Sequence, residues 1–313
     1  MRVLVTDHVF GDLETERAAL AAIDCELELA PDADPETLVA KAAGAAGIMV
    51  CFAQIDARLL EAAKDCRIVA RYGIGFDNVD VEAATRNGIQ VTNVPDYCLD
   101  EVADHAMALL LAAARGVVGA ALGVRQGDWT VPQENVHRIA GRRLALIGAG
   151  RIGRRVADRA RAFGYEVVVY DPYAGDSVAS IEEAVADADA VSLHAPLTDE
   201  TRDIIGEPTL AAMKRRPILV NTSRGGLVDL EAVTRALDDD RLSAVALDVT
   251  EPEPLPADHP LRTHPRAIVT PHMSFYSEEA QAELQRRAVE EVVRALTGEE
   301  PRCPVNRLER TTA

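Results

Sequence analysis

Positive charge is in short supply. Lys and Arg number 33 against 51 Asp and Glu, a formal net charge of −18. That balance argues against nucleic acid or an anionic membrane as the main partner. It says little about a small anionic substrate, which responds to local charge. Cysteine is sparse and dispersed: Cys25, Cys51, Cys66, Cys98 and Cys303 form no C-x-x-C pair. An odd, scattered set in a chain of 313 residues excludes a disulfide framework and is expected of reduced thiols in a cytoplasm. Long apolar runs are missing too. The longest uncharged one, Ala106 to Ala114, is too short to span a bilayer. The start, MRVLVTDHVFGDLE, enters a strand at once and carries Asp7 and Asp12, so no signal peptide is expected. Aromatic residues make up only 4%, a scarcity without a functional reading of its own. No repeat, low-complexity segment or metal-binding cluster stands out.

What is present is ordinary soluble-protein material, 48% apolar and 27% charged, with length for two domains. The most informative stretch is RRLALIGAGRIG, Arg142 to Gly153. Leu144 to Ile147 is a short apolar run, as expected of a strand buried on both faces of a parallel sheet. Gly148, Gly150 and Gly153 follow in the spacing G-x-G-x-x-G, and RRVADRARAFG then reads as an amphipathic helix. In a dinucleotide site the first glycine allows the tight turn and the second lets a pyrophosphate approach the backbone. The third lets helix and strand pack closely. The helix N-terminus offers N–H groups and partial positive charge to phosphates. The next strand, Glu166 to Tyr170, ends in Asp171, where an acid would accept hydrogen bonds from an adenosine ribose. A carboxylate there favours NAD over NADP, because it repels a 2′-phosphate. The plainer alternative for Asp171 is a solvated residue opening the turn Asp171-Pro172.

Before this unit, strands are expected at Val3–Thr6, Glu26–Ala30, Ile48–Cys51, Arg67–Arg71 and Ile89–Thr92. Helices alternate with them at Glu14–Ala22, Pro35–Ala43, Ala57–Lys64 and Val81–Asn87. This implies a second small parallel sheet with helices on its faces. Leu99 to Val118 reads as one long connecting helix, and the segment from 119 to 140, with Trp129, as a dimerisation arm or a large surface loop. After the glycine loop, strands at 190–193, 218–221, 244–248 and 267–270 place His194, Arg224, Asp248 and His272 at or just past C-terminal strand ends. Ligand chemistry belongs there in such sheets. Glu278 to Leu296 is a final helix, and the polar tail from Gly298 is expected to lie loosely on the surface.

Six stretches carry a resemblance. They are YGIGFDNVD (72–80), NVP (93–95), GAGRIG, NTSRGG (221–226), LDVTEPEPL (247–255) and TPHMSFYSEEA (270–280). In this order and spacing they resemble the D-isomer-specific 2-hydroxyacid dehydrogenases over nearly the full length. The Asp-Asn pair after Gly75 and FYSEEA after His272 look most like the branch of the C-terminal-binding protein corepressors and their bacterial relatives. The resemblance implies an α/β protein of two domains. A Rossmann-type NAD(H) domain, 99–274, is inserted in a smaller flavodoxin-like substrate domain, 1–98 plus 275–313, and the whole works as a homodimer. It implies hydride exchange between the cofactor and a small 2-keto or D-2-hydroxy acid. Arg224 would hold the carboxylate and polarise the carbonyl with its planar fork of donors. His272 would be the acid/base, and Glu253, or Glu251 two residues before it, the carboxylate that orients the ring and stabilises imidazolium. Main-chain N–H groups of Ile74 and Gly75 would receive the substrate carboxylate. Arg151 and Ile152 would meet the dinucleotide through the backbone, Asp248 through the carboxamide, with His194 and Thr222 supporting it. Phe52 and Phe275 depart from the family's usual residues and suggest an apolar or aromatic pocket wall. Two readings remain open: a dehydrogenase, or an NAD(H)-sensing corepressor-like binding protein with incidental activity.

Overall fold

The computed structural model describes residues 1–30, 34–131 and 136–308. The chain divides into two compact units, Met1–Tyr97 with Ser277–Ala313, and Cys98–Tyr276.

In the first unit strands β1 (Arg2–Val5), β2 (Glu26–Leu29), β3 (Gly47–Val50), β4 (Ile68–Arg71) and β5 (Gln90–Thr92) form one parallel sheet in the order β2-β1-β3-β4-β5. This is the doubly wound order of flavodoxin-like sheets. Helices α1 (Glu14–Ala21), α2 (Pro35–Ala42), α3 (Ala57–Ala62) and α4 (Val81–Arg86) connect the strands, and α11 (Glu278–Thr297) returns to pack on α1, β3 and β4. The GIMV and IVAR strands are buried along their whole length, because helices cover both faces.

In the second unit β6 (Arg143–Ile147), β7 (Glu166–Tyr170), β8 (Ala190–Leu193), β9 (Ile218–Asn221), β10 (Ala244–Leu247) and β11 (Ala267–Val269) run parallel in the order β11-β10-β9-β8-β6-β7. Alternate residues serve opposite cores. Leu144 and Leu146 of β6 pack with α5 (Leu99–Arg115) and α7 (Arg151–Ala162). Ala145 and Ile147 pack with α8 (Ile181–Ala186), α9 (Glu207–Ala212) and α10 (Leu230–Asp238). A one-residue slip would exchange the two faces, so the register is firmly set.

Among the described residues six α-helices are capped by side chains, four of them by aspartates that belong to the acid excess. Side chains of Asp34, Asp56, Asp80, Ser180, Asp229 and Ser277 each accept a backbone N–H at the start of a helix. Such caps are worth about 1 kcal/mol each.

Two expectations need correcting. The connecting helix does not run to Val118. It stops at Arg115, where Gly116 takes a left-handed conformation, φ +61, and α6 (Val117–Arg125) leaves at a 65° bend. Glycine adopts that conformation without the Cβ clash other residues suffer. The C-terminal tail is not loose as far as 308. Val305 N–H donates to Val91 O, and Asn306 is buried beside the start of β5. Its Oδ1 accepts from Val91 N at 2.7 Å, and its Nδ2 donates to Ile89 O at 2.9 Å. Of the stretch read as an arm, residues 132–135 lie outside the described residues, and no residue of α6 is buried.

Candidate active site

The glycine loop joins β6 to α7 at the point where strand order reverses between β6 and β8. Gly148 has φ +95, and a Cβ there would lie 2.6 Å from His194 C and Ala195 N. A Cβ on Gly153 would lie 2.2 Å from Gly148 O. Both glycines are therefore required by the chain itself. Gly150 is not: a Cβ there would meet nothing within 4 Å. No side chain caps α7, and an N-terminus of that kind, here at Arg151 and Ile152, suits the phosphates of a dinucleotide. Asp171 closes over the loop. Its Oδ2 accepts from Ala149 N at 2.7 Å and its Oδ1 from Tyr173 N at 2.8 Å. The acid thus caps its own turn and also braces the glycine loop, with lone pairs left on both oxygens.

His194, at the end of β8, has Nε2 2.8 Å from Ser192 Oγ. Burial pushes its imidazole down to about 4, so it stays neutral near pH 7 and is no general acid there. Thr222, after β9, is 7% exposed, and its Oγ1 has no hydrogen-bond partner among the described residues. A buried hydroxyl without a partner is costly. Together with the open Cβ position at Gly150, it fits a ligand laid along these strand ends.

Three adjacent strands then bring three of the expected site residues to neighbouring ends. Asn221, Leu247 and Val269 align across β9, β10 and β11, so Arg224, Asp248 and His272 leave neighbouring strand ends. Strands lie about 4.8 Å apart, which puts the outer two ends about 10 Å from each other. The loops close further. A Cβ on Gly225 would sit 2.1 Å from Thr250 C, so only glycine lets the Arg224 loop reach the loop of Glu253. Glu253 Oε1 accepts from Thr250 N at 3.0 Å, and its Oε2 lies 2.8 Å from His272 Nδ1. Glu251 is instead held by Arg202, at 3.1 Å. The imidazole–carboxylate couple is therefore His272 with Glu253.

His272 has φ +51, uncommon for a non-glycine residue. Its N–H donates to Asp248 O at 2.8 Å and Thr270 O at 3.0 Å. Asp248, 1% exposed, accepts from Met273 N at 3.0 Å, Ser274 N at 2.8 Å and Thr270 Oγ1 at 2.5 Å. Burial alone would raise its carboxyl, but these donors outweigh it and hold the group below the usual carboxylate range.

The family model for the NAD binding domain of D-isomer specific 2-hydroxyacid dehydrogenases matches residues 107–274. The chain belongs to that family. NAD(H) is accordingly its cofactor. A glyoxylate reductase of Korarchaeum cryptofilum is 42% identical over 264 residues, covering 80% of each chain. A D-3-phosphoglycerate dehydrogenase of Methanocaldococcus jannaschii is 38% identical over 311 residues, 96% of this chain, which spans 58% of that relative. The crystal structure of the TT0316 protein from Thermus thermophilus superposes with a TM-score of 0.89 at 40% identity, covering 98% of this chain and all of that one.

The remaining expected residues of this dehydrogenase are placed as follows. Phe275 stands edge-on to the His272 ring, centroids 6.3 Å apart. Ile74 and Gly75 follow β4 in the first unit, where Asn93 Nδ2 donates to Ile74 O at 2.7 Å. Phe52 follows β3 there, with its N–H on Asp7 Oδ2 at 2.6 Å. Their substrate role rests on the resemblance. His259 and His264 accept backbone N–H bonds from Leu261 and Arg266 and serve their own loop. Sequence reading passes over His105 and Thr270, which touch Asp248. The one signal is a histidine beside the apolar half of α5.

Proposed function

We propose that this dehydrogenase reduces a short 2-keto acid, glyoxylate being the first to test, to its D-2-hydroxy acid (for glyoxylate, glycolate). When bound, NADH supplies the hydride to C2. Arg224 holds the substrate carboxylate and draws charge toward the carbonyl oxygen. His272 delivers the matching proton to that oxygen from Nε2. Glu253 keeps Nδ1 hydrogen-bonded, which orients the ring and stabilises imidazolium before transfer and neutral imidazole after it. In the oxidative direction the same atoms run backward, and Nε2 takes the proton. The observation that carries this reading is the 2.8 Å His272–Glu253 couple, whose members follow β11 and β10, beside the Arg224 loop that follows β9. The first relative's name supports glyoxylate. Phe275 beside the imidazole supports a small apolar-walled pocket. Steady-state NADH oxidation with glyoxylate, hydroxypyruvate, pyruvate and branched or aromatic keto acids tests it. Turnover with short acids is expected, and none with any member would overturn it.

A homodimer belongs to the same proposal. Along and after α6, Val117, Leu122, Val124 and Trp129 are exposed, Trp129 by 87%, a surface suited to a second copy. Reduced cysteines, five of five, support a cytoplasmic setting.

A further inference from the structure

α5 carries His105 where its acidic first turns give way to an apolar run. The Nε2 of His105 lies 3.2 Å from Thr270 Oγ1 and 3.6 Å from Asp248 Oδ1. Hydrogen counting fixes the direction of the shorter contact. Thr270 has one hydroxyl hydrogen, and it goes to Asp248 Oδ1. His105 therefore meets the Oγ1 lone pairs, so its Nε2 carries a hydrogen and donates it. The chain of bonds runs from His105 to Thr270 to Asp248. From Asp248 it reaches the turn itself: the main-chain O takes the N–H of His272, and the carboxylate takes those of Met273 and Ser274. Three consecutive N–H groups thus hang on one buried residue. They hold His272 in a left-handed conformation it would not keep alone.

We infer that His105 is a positioning residue for the reaction, fixing through Thr270 and Asp248 the turn that aims the His272 ring. The inference rests on His272 being the acid proposed above. Without the His105 donor, the Thr270 hydroxyl is free to turn, and the buried carboxylate loses its best-placed partner. The turn then loosens. Misplacing a reacting group by about 1 Å can cost about 10²-fold in rate, so partial loosening should cost about tenfold. The glycine loop and Asp171 lie outside this chain of bonds, so NADH binding should change little. A histidine that merely filled space would be replaced without loss by a ring of similar size.

The test compares kcat, KM for NADH and NADH binding in His105→Phe, His105→Gln, Thr270→Val and the His105→Phe/Thr270→Val double variant, beside His272→Ala. His105→Phe and Thr270→Val should each lower kcat about tenfold, with KM for NADH within about twofold. The double variant should be no slower than the slower single one, since both break one chain. His105→Gln, which keeps an N–H near Nε2, should recover most of the rate. Wild-type kcat in His105→Phe, or single effects that multiply in the double variant, would overturn the inference. Should His105→Phe fail to fold, wild-type kcat in Thr270→Val would do the same. His272→Ala at the wild-type rate would instead remove the acid assignment, and the positioning role with it.

Discussion

At the scale of single residues, the site is organised by side chains with more than one task. Asp171 braces Ala149, caps its own turn and keeps a lone pair on each oxygen. His272 holds a backbone conformation that costs a non-glycine residue about 1 kcal/mol or more, and Asp248 supplies the hydrogen bonds that offset it. The carboxylate at 171 has a measurable consequence. Asp171→Asn keeps one acceptor, for Ala149 N, gives up the bond to Tyr173 N and removes the charge that the expected ribose role sets against a 2′-phosphate. The ratio of kcat/KM for NADH over NADPH should fall at least about tenfold, equivalent to about 1.4 kcal/mol of lost discrimination. An unchanged ratio, measured on the same keto acid, would contradict the ribose role.

Among the elements, legibility in the sequence follows the range of the forces involved. Strands such as IVAR and AVSL are apolar because both faces are covered, so each announces itself within four residues. Caps are also local, an Asp or Ser just before the first turn, which is acidic in every capped α-helix except α3. The break at Gly116 escapes notice because a glycine in an apolar stretch looks much the same inside a helix as after one. The tail reads as loose because what fixes Asn306 comes from β5, more than 200 positions earlier. The contact between His272 and Glu253 is anticipated by the resemblance, whose motifs single out both residues. His105 is not, because its partner Thr270 lies 165 residues on, and one sequence shows no such pairing. Asn306→Ala should expose the tail's contribution. It strips a partner from Val91 N–H and Ile89 C=O, both buried, and should destabilise the first unit by about 2–4 kcal/mol in urea unfolding. A loss under about 0.5 kcal/mol would show that the tail contributes nothing.

For the molecule as a whole, two sheets with separate cores carry the fold, and the charge of −18 leaves the cofactor side dependent on local donors rather than a positive field. Stability should respond to pH through His194. Its value in the folded chain, about 4, lies below the 6.5 of a free imidazole, because burial disfavours the cation. The neutral ring's contribution is therefore complete above about pH 6.5 and is lost as pH falls toward 4. The Tm advantage of wild type over His194→Gln should shrink across that window, and a constant difference would contradict the burial argument. The account as a whole turns on the proton. In single-turnover reduction by NADH, with NADH binding followed separately by fluorescence, His272→Ala should bind NADH normally and transfer hydride about 10²–10⁴-fold more slowly. Hydride transfer near the wild-type rate in that variant would contradict the account.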